Sequence, residues 1–190
     1  MNTPLIAKRS RNAAVTKAKI LAAAQQCFSV TGYTATGIRD VAALAGVSYT
    51  LIGRYFGSKA GLLEAALSEV TGIDEMFAVD RPHFGRHLAE LMLRDLHDHV
   101  SFGMTIFAAS DPEARVIATR VLDRRVIRPL AEWLGGPDAH SRAVALTMLG
   151  AGFVLHAHQI PLIPTPAGVD EPIVQWLAKA LQMIVDESAT

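Results

Sequence analysis

Gly32, Gly46 and Gly57 cut the first third of the chain into short helical pieces. Two of these, residues 37–45 and 49–56, fall well below the roughly 12–15 residues that an isolated helix needs in water. Such pieces persist only when longer neighbours cover their backs. The segment 14–30 is one such neighbour, with Ile20, Ala24, Cys27, Phe28 and Thr31 recurring at spacings of three and four. Gly32 can end it in a left-handed conformation. Thr36 then stands where an N-cap is expected, with Asp40 inside the first turn. Ile38, Val41, Ala42 and Ala45 form the buried stripe of 37–45, and Gly46 ends it. Val47 fills the turn, Ser48 caps 49–56, Gly57 closes it, and Ser58 caps a longer helix over 59–72.

Periodicity carries helices through the rest. The spacing predicts a long helix over 83–109, with Phe84, Leu88, Leu91, Leu96, Val100 and Phe107 as its stripe. Another starts at Asp111-Pro112 and runs to about residue 134, kinked at Arg128-Pro129. Gly135-Gly136-Pro137 is a stop, and helices follow over 139–159 and 171–186. With 51% hydrophobic and 19% charged residues, the chain is globular. Its fold class is all-α. No Asp, Glu, Lys or Arg occurs over residues 143–169. A membrane span needs about 20 consecutive apolar residues, and this run is interrupted by His156, His158, Gln159, Pro161, Pro164 and Pro166. It reads as a buried helix and then a loop, with no membrane partner. A helix lacking any charged face must be covered on several sides, which points to a subunit interface.

Charge is unevenly placed. Residues 1–60 hold eight basic residues and one acid, a net of +7, whereas the remainder holds ten and seventeen, a net of −7. The basic part is the part suited to a polyanion. Within it, the two short helices match a helix-turn-helix, whose second helix enters the major groove of double-stranded DNA. Thr36 and Ser48 would offer hydroxyls and free N–H groups to phosphates. Tyr49, Thr50 and Arg54 lie on the reading helix, where Arg54 can donate two hydrogen bonds to guanine. Arg39 would reach a base or phosphate from the bracing helix. Tyr55 and Lys59 would meet a flanking phosphate. The lone Cys27 excludes an internal disulfide, and no stretch at the start reads as a secretory signal, so a cytoplasmic location is expected.

Phe28, Gly32, Tyr33, Thr36, Ile38, Arg39, Asp40, Val41, Ala42, Ala45, Gly46, Val47 and Ser48, followed by Tyr55, Phe56, Gly57, Ser58, Lys59 and Leu62-Leu63, resemble the tetracycline-repressor (TetR) family over about residues 14–65. The resemblance implies an Ω-like all-helical homodimer of about nine helices per subunit. Its first three helices would bind DNA, its later ones would enclose a ligand, and its last two would form a four-helix bundle with the partner. Such proteins usually repress transcription and leave the operator when a small molecule binds. The chain departs from the family at Gly53, often a tyrosine, and at Leu51, often small. Gly53 loosens the reading helix by about 1 kcal/mol relative to Ala.

The expected organisation is a flexible basic arm (1–12), a helix-turn-helix domain (13–72) and a ligand-binding and dimerisation domain (73–190). Phe102, Phe107, Trp133, Met148, Phe153 and His156 are candidate contacts for a largely apolar effector. Leu146, Gly150, Val154, Leu177, Leu181 and Ile184 are candidate dimer-seam residues, with an intramolecular core as the alternative. His83 and His87, and Asp95, His97 and His99, have spacings that suit a metal, yet no third ligand is fixed by the pattern. They read as surface or pocket-wall groups, and no cofactor is called for. Arg115, Arg120, Arg124, Arg125 and Arg128 read as a solvated or salt-bridged face, the alternative being an anion site. No G-x-S-x-G, phosphate loop or metal signature points to an enzyme. A ligand-released repressor is the leading function, against an activator or a ligand-independent architectural protein.

Overall fold

A computed structural model describes residues 3–93, 100–160, 162, 168 and 170–187, with the side chains of 3–11 left aside. All regular elements among these residues are helical. The chain divides into two compact units, Met1–Val70 with Gly103–Val121, and Thr71–Phe102 with Leu122–Thr190.

The first unit begins with α1 (Thr3–Ala35), whose helical run breaks at Gly32. The backbone over 3–12, expected as an arm, is helical. Ile20, Ala24 and Phe28 are buried as the periodicity requires, whereas Cys27 is only half-buried and Thr31 is exposed. Helices α2 (Ile38–Ala45), α3 (Tyr49–Phe56) and α4 (Lys59–Val70) follow with the expected boundaries. Leu62, Leu63, Ala66 and Leu67 of α4 complete the core over which the short helices lie. Ser58 caps α4 by accepting the Gly61 N–H at 3.1 Å.

The expected long helix over 83–109 is not one piece of the second unit. It comprises α5 (Phe84–Met92) and α6 (Val100–Ala108), and from Gly103 onward the chain belongs to the first unit. So does α7 (Pro112–Leu122) through Val121. Residues 103–121, expected as part of 73–190, pack with the first unit, where Met104, Ala114, Ile117, Ala118 and Val121 are buried. Leu96, Asp95, His97 and His99 lie outside the described residues.

The irregularity expected at Pro129 lies just upstream of it, as a π-helical turn over Asp123–Ile127 before α8 (Arg128–Leu134). Proline crowds the carbonyl four residues before it and donates no N–H, so the helix widens there. In α9 (Ala139–Val154), a second π turn (Leu155–Gln159) and α10 (Pro172–Asp186), the elements match expectation.

The second unit packs α5 and α9 against α10, and α8 against α9. At the α5–α10 crossing a β-carbon on Gly85 would lie 2.3 Å from the Ala178 carbonyl oxygen. Only glycine lets the backbones come this close. The Gly85 N–H donates to Gln182 Oε1 at 2.8 Å, and Gln182 Nε2 donates to the Arg81 carbonyl at 3.0 Å. Arg142 is buried, and its guanidinium donates to the carbonyls of Gly135, Ile184 and Val185, joining the ends of α8 and α10. Cations at helix C-termini are favoured by the helix dipole. Among the described residues no helix is long and apolar enough to cross a membrane.

Candidate nucleic-acid interface

The turn between α2 and α3 is set by Gly46, which adopts φ 65°, ψ 36°. Its N–H donates to the Ala43 carbonyl and that of Val47 to Ala42, at 3.2 and 3.0 Å. These bonds satisfy carbonyls that the end of α2 would otherwise leave open. Ser48 then holds extended backbone as the N-cap of α3, with its hydroxyl 2.8 Å from that of Thr50.

One side chain anchors α3: Ile52 has no exposed surface. Around it the helix turns Tyr49, Thr50, Gly53 and Arg54 outward, while Leu51 and Tyr55 are half-buried. The Arg39 guanidinium lies 5.7 Å from the centre of the Tyr49 ring, linking α2 to the start of α3. Arg39, Ser48, Tyr49, Thr50 and Arg54 are thus all exposed on the α2–α3 pair.

Two predicted contacts are placed differently. Thr36 does not cap α2. It is 3% exposed, and its hydroxyl donates to the Gly32 carbonyl at 2.7 Å beside Thr31 Oγ1 at 2.8 Å. Gly37 is the N-cap, and the Asp40 carboxylate accepts its N–H at 3.0 Å. Thr36 therefore closes the Gly32 turn from inside, which removes it from the phosphate-binding set. Lys59 is half-buried, its ammonium 4.4 Å over the Tyr33 ring and donating to the Thr34 carbonyl at 3.3 Å. A cation over an aromatic face is attracted by the ring quadrupole.

This turn is braced by α7, which local patterning did not reveal. Tyr33 Oη donates to Glu113 at 2.7 Å and Thr34 Oγ1 to Asp111 at 2.8 Å. Burial and the Glu113 carboxylate push the Tyr33 phenol pKa up, so it stays a donor. Asp111 caps α7 by accepting the Ala114 N–H at 2.9 Å. That backbone bond, and then the Thr34 hydroxyl, hold its carboxyl below the usual range. A depressed folded pKa contributes stability above the unfolded value, about 3.9. The contribution is lost as pH falls through the folded value. Thermal melts of wild type and Asp111→Ala should therefore differ fully above about pH 5 and converge in stronger acid. A constant difference would show that the carboxylate's charge plays no part. Burial, and then the charge of Asp40, also raise the Cys27 thiol pKa, which disfavours the reactive thiolate.

The second unit contains a cavity of about 210 Å3, open on one side. Of the candidate effector contacts, Phe102 lines it. Trp133 instead stacks on Phe84 at 4.6 Å with the Arg81 guanidinium 4.8 Å from its ring, and Phe153 belongs to the same core. Met148 is exposed on α9, and Phe107 packs at Gly32 in the first unit. His156 is half-buried, with Nδ1 unpartnered among the described residues, and does not line the cavity.

The candidate seam also needs correction. Leu146, Gly150, Val154, Leu177 and Leu181 are buried within the unit, and the first three line the cavity; Ile184 is half-buried. On α9 and α10 the large apolar groups left outside are Met148, Ile173, Trp176 and Met183. A helix that is apolar all round gives no phase, so its inward face could not be chosen from pattern alone.

His83 pairs with Asp80 at 2.5 Å and His87 with the Glu75 carbonyl at 2.8 Å. In the arginine cluster, Arg128 pairs with Asp123, Arg120 with Glu64, and Arg125 donates to the Thr71 carbonyl at 3.0 Å. Arg115 and Arg124 are exposed. Arg115 and Arg120 belong to the first unit and the other three to the second, and each is salt-bridged, hydrogen-bonded or exposed.

With this geometry in place, the comparisons decide the family. Residues 20–66 match the model of bacterial regulatory proteins of the tetR family, and residues 83–185 match the tetracyclin repressor-like C-terminal domain. The chain belongs to the TetR family. It is a transcriptional regulator with a DNA-binding helix-turn-helix, and not an enzyme. It is 42% identical over 66 residues to the HTH-type transcriptional regulator RutR of Escherichia coli, a match covering 35% of this chain and 31% of the relative. It is 34% identical over 106 residues to the HTH-type transcriptional repressor Rv3405c of Mycobacterium tuberculosis, covering 56% and 46%. The TetR-family chain thus matches less than half the length of either relative. The structure of the fatty acid degradation regulator FadR from Bacillus halodurans superposes with a TM-score of 0.65 at 18% identity, over 90% of this chain and 95% of that one. At that identity the likeness shows the fold alone.

Proposed function

We propose that this chain is a homodimeric repressor that reads a palindromic operator with α3 and releases it when a small, largely apolar molecule enters the second unit. The observation that carries the reading is α3 itself, rooted by Ile52 and turning Tyr49, Thr50 and Arg54 outward. Arg39 and Ser48 supply donors for phosphate oxygens on either side of the turn. Lys59 is spent partly on Thr34 and Tyr33, so its phosphate contact competes with an internal one. The cavity in the second unit favours an effector-controlled regulator over an architectural one. The name of the relative Rv3405c supports repression over activation.

Selection of bound sequences from random duplex DNA tests this. A two-fold symmetric site should be enriched, with half-sites at fixed spacing. Arg54→Ala should relax the sequence at the base it reads, costing about 1–3 kcal/mol there, while Lys59→Ala weakens all sequences alike. No enrichment would end the specific-regulator reading. Placing the enriched site upstream of a reporter then separates repression from activation.

A further inference from the structure

Among the described residues lining the cavity none is charged. Against these residues an ionised guest would lose hydration without gaining a counter-ion, which disfavours it. The volume of about 210 Å3 exceeds the roughly 150 Å3 at which a dry apolar cavity takes up benzene. A single ring with one or two small substituents is therefore the scale of guest that fits.

The wall carries three hydroxyl residues, and they are not equivalent. Thr147 Oγ1 donates to the Ala143 carbonyl of its own helix at 2.9 Å, and Ser101 is already partnered. Thr71 is 4% exposed, and its hydroxyl has no partner among the described residues. An unmade bond at a buried hydroxyl is costly, so native chains rarely leave one without a reason. The backbone at this position is held separately, since Arg125 Nε donates to the Thr71 carbonyl. That contact fixes the main chain and leaves the side chain to respond to a guest, because one χ1 rotation exchanges methyl for hydroxyl at the wall.

We propose that the cavity takes a neutral, largely apolar molecule of single-ring size bearing one hydrogen-bonding group, and that the Thr71 hydroxyl selects for that group. This deepens the effector half of the proposed function and rests on it. Met92 narrows the cavity beside Gly150. A β-carbon on Gly150 would lie 2.2 Å from the Met92 methyl, so the thioether end occupies the space that glycine leaves.

Phenol and toluene differ by the hydroxyl and little in shape, and they serve as probes in NMR titrations of the full chain without DNA. In wild type both should bind, with contacts to the Met76 and Met92 methyls. Thr71→Val should lower the phenol-to-toluene affinity ratio about tenfold, the size of one net hydrogen bond. Thr71→Ser should restore it. Gly150→Ala, which fills volume without touching the hydroxyl, should weaken both probes and leave the ratio alone. An unchanged ratio in a folded Thr71→Val protein overturns the assignment. So do wild-type contacts outside this cavity, or no binding of either probe, and these readouts hold even if the variant does not fold. DNA selection on the same wild-type preparation reports separately on the regulator reading. Loss of operator preference with the ratio effect intact would remove that reading and leave the cavity's chemistry standing.

Discussion

Ile52→Ala should lower the stability of the first unit by about 2–5 kcal/mol, the range for truncating a fully buried isoleucine. Ile52 has no exposed surface, and it alone among α3 residues is buried. A helix of eight residues has little stability of its own. Its attachment, with Ile52 as the one fully buried side chain, therefore decides whether the exposed Tyr49–Arg54 face exists as a surface. Because a domain's net stability is about 5–15 kcal/mol, the loss is a large fraction of the whole. Urea unfolding should show a lower midpoint, and operator binding should fall more than Arg54→Ala alone would cause. The comparison is Leu44→Ala on α2, where the side chain is 51% exposed and the change should stay within about 0.5 kcal/mol. Equal effects at the two positions would show that α3 is held by something other than Ile52.

In the proposed homodimer, replacing Trp176 and Met183 together by Asp should separate the two copies. On α10 these residues are 59% and 73% exposed, and Ile173 lies on the same outward side. Met148 is outward on α9 at 69%. Scattered exposed apolar residues need no explanation, but a tryptophan and two methionines on adjoining helices are unusual for a free surface. Buried interface tryptophans commonly contribute 2 kcal/mol or more, so the double substitution should weaken association at least about hundredfold. Sedimentation should give a monomer with unchanged helical circular dichroism, because neither side chain supports the unit's own core. Operator affinity should fall with it, since two half-sites are read by two copies. Leu181→Ala makes the contrast: it is fully buried and should cost folding stability instead. A double variant that remains dimeric would move the interface elsewhere, and a monomeric wild type would overturn the proposed homodimer.

The sequence by itself determined the helical class, the boundaries of α2, α3 and α4, and the outward set on the reading helix. Those features are written within one or two turns: glycine at each stop, a hydroxyl cap before α4, and apolar residues at three- and four-residue spacing. Local chemistry suffices there because the groups that decide each end are neighbours in the chain. It failed at Thr36, whose hydroxyl had two outlets, its own helix or the Gly32 carbonyl, and only the packed turn selected one. It also failed where partners are far apart. The Tyr33–Glu113 bond spans eighty residues, and nothing near either residue announces it. In α9 the pattern was apolar on too many sides to give a phase. The tertiary structure made that choice, turning Leu146, Gly150 and Val154 toward a cavity and leaving Met148 outside. Burial there is a property of the assembled neighbours, and hydrophobicity, being non-directional, cannot name the neighbour in advance.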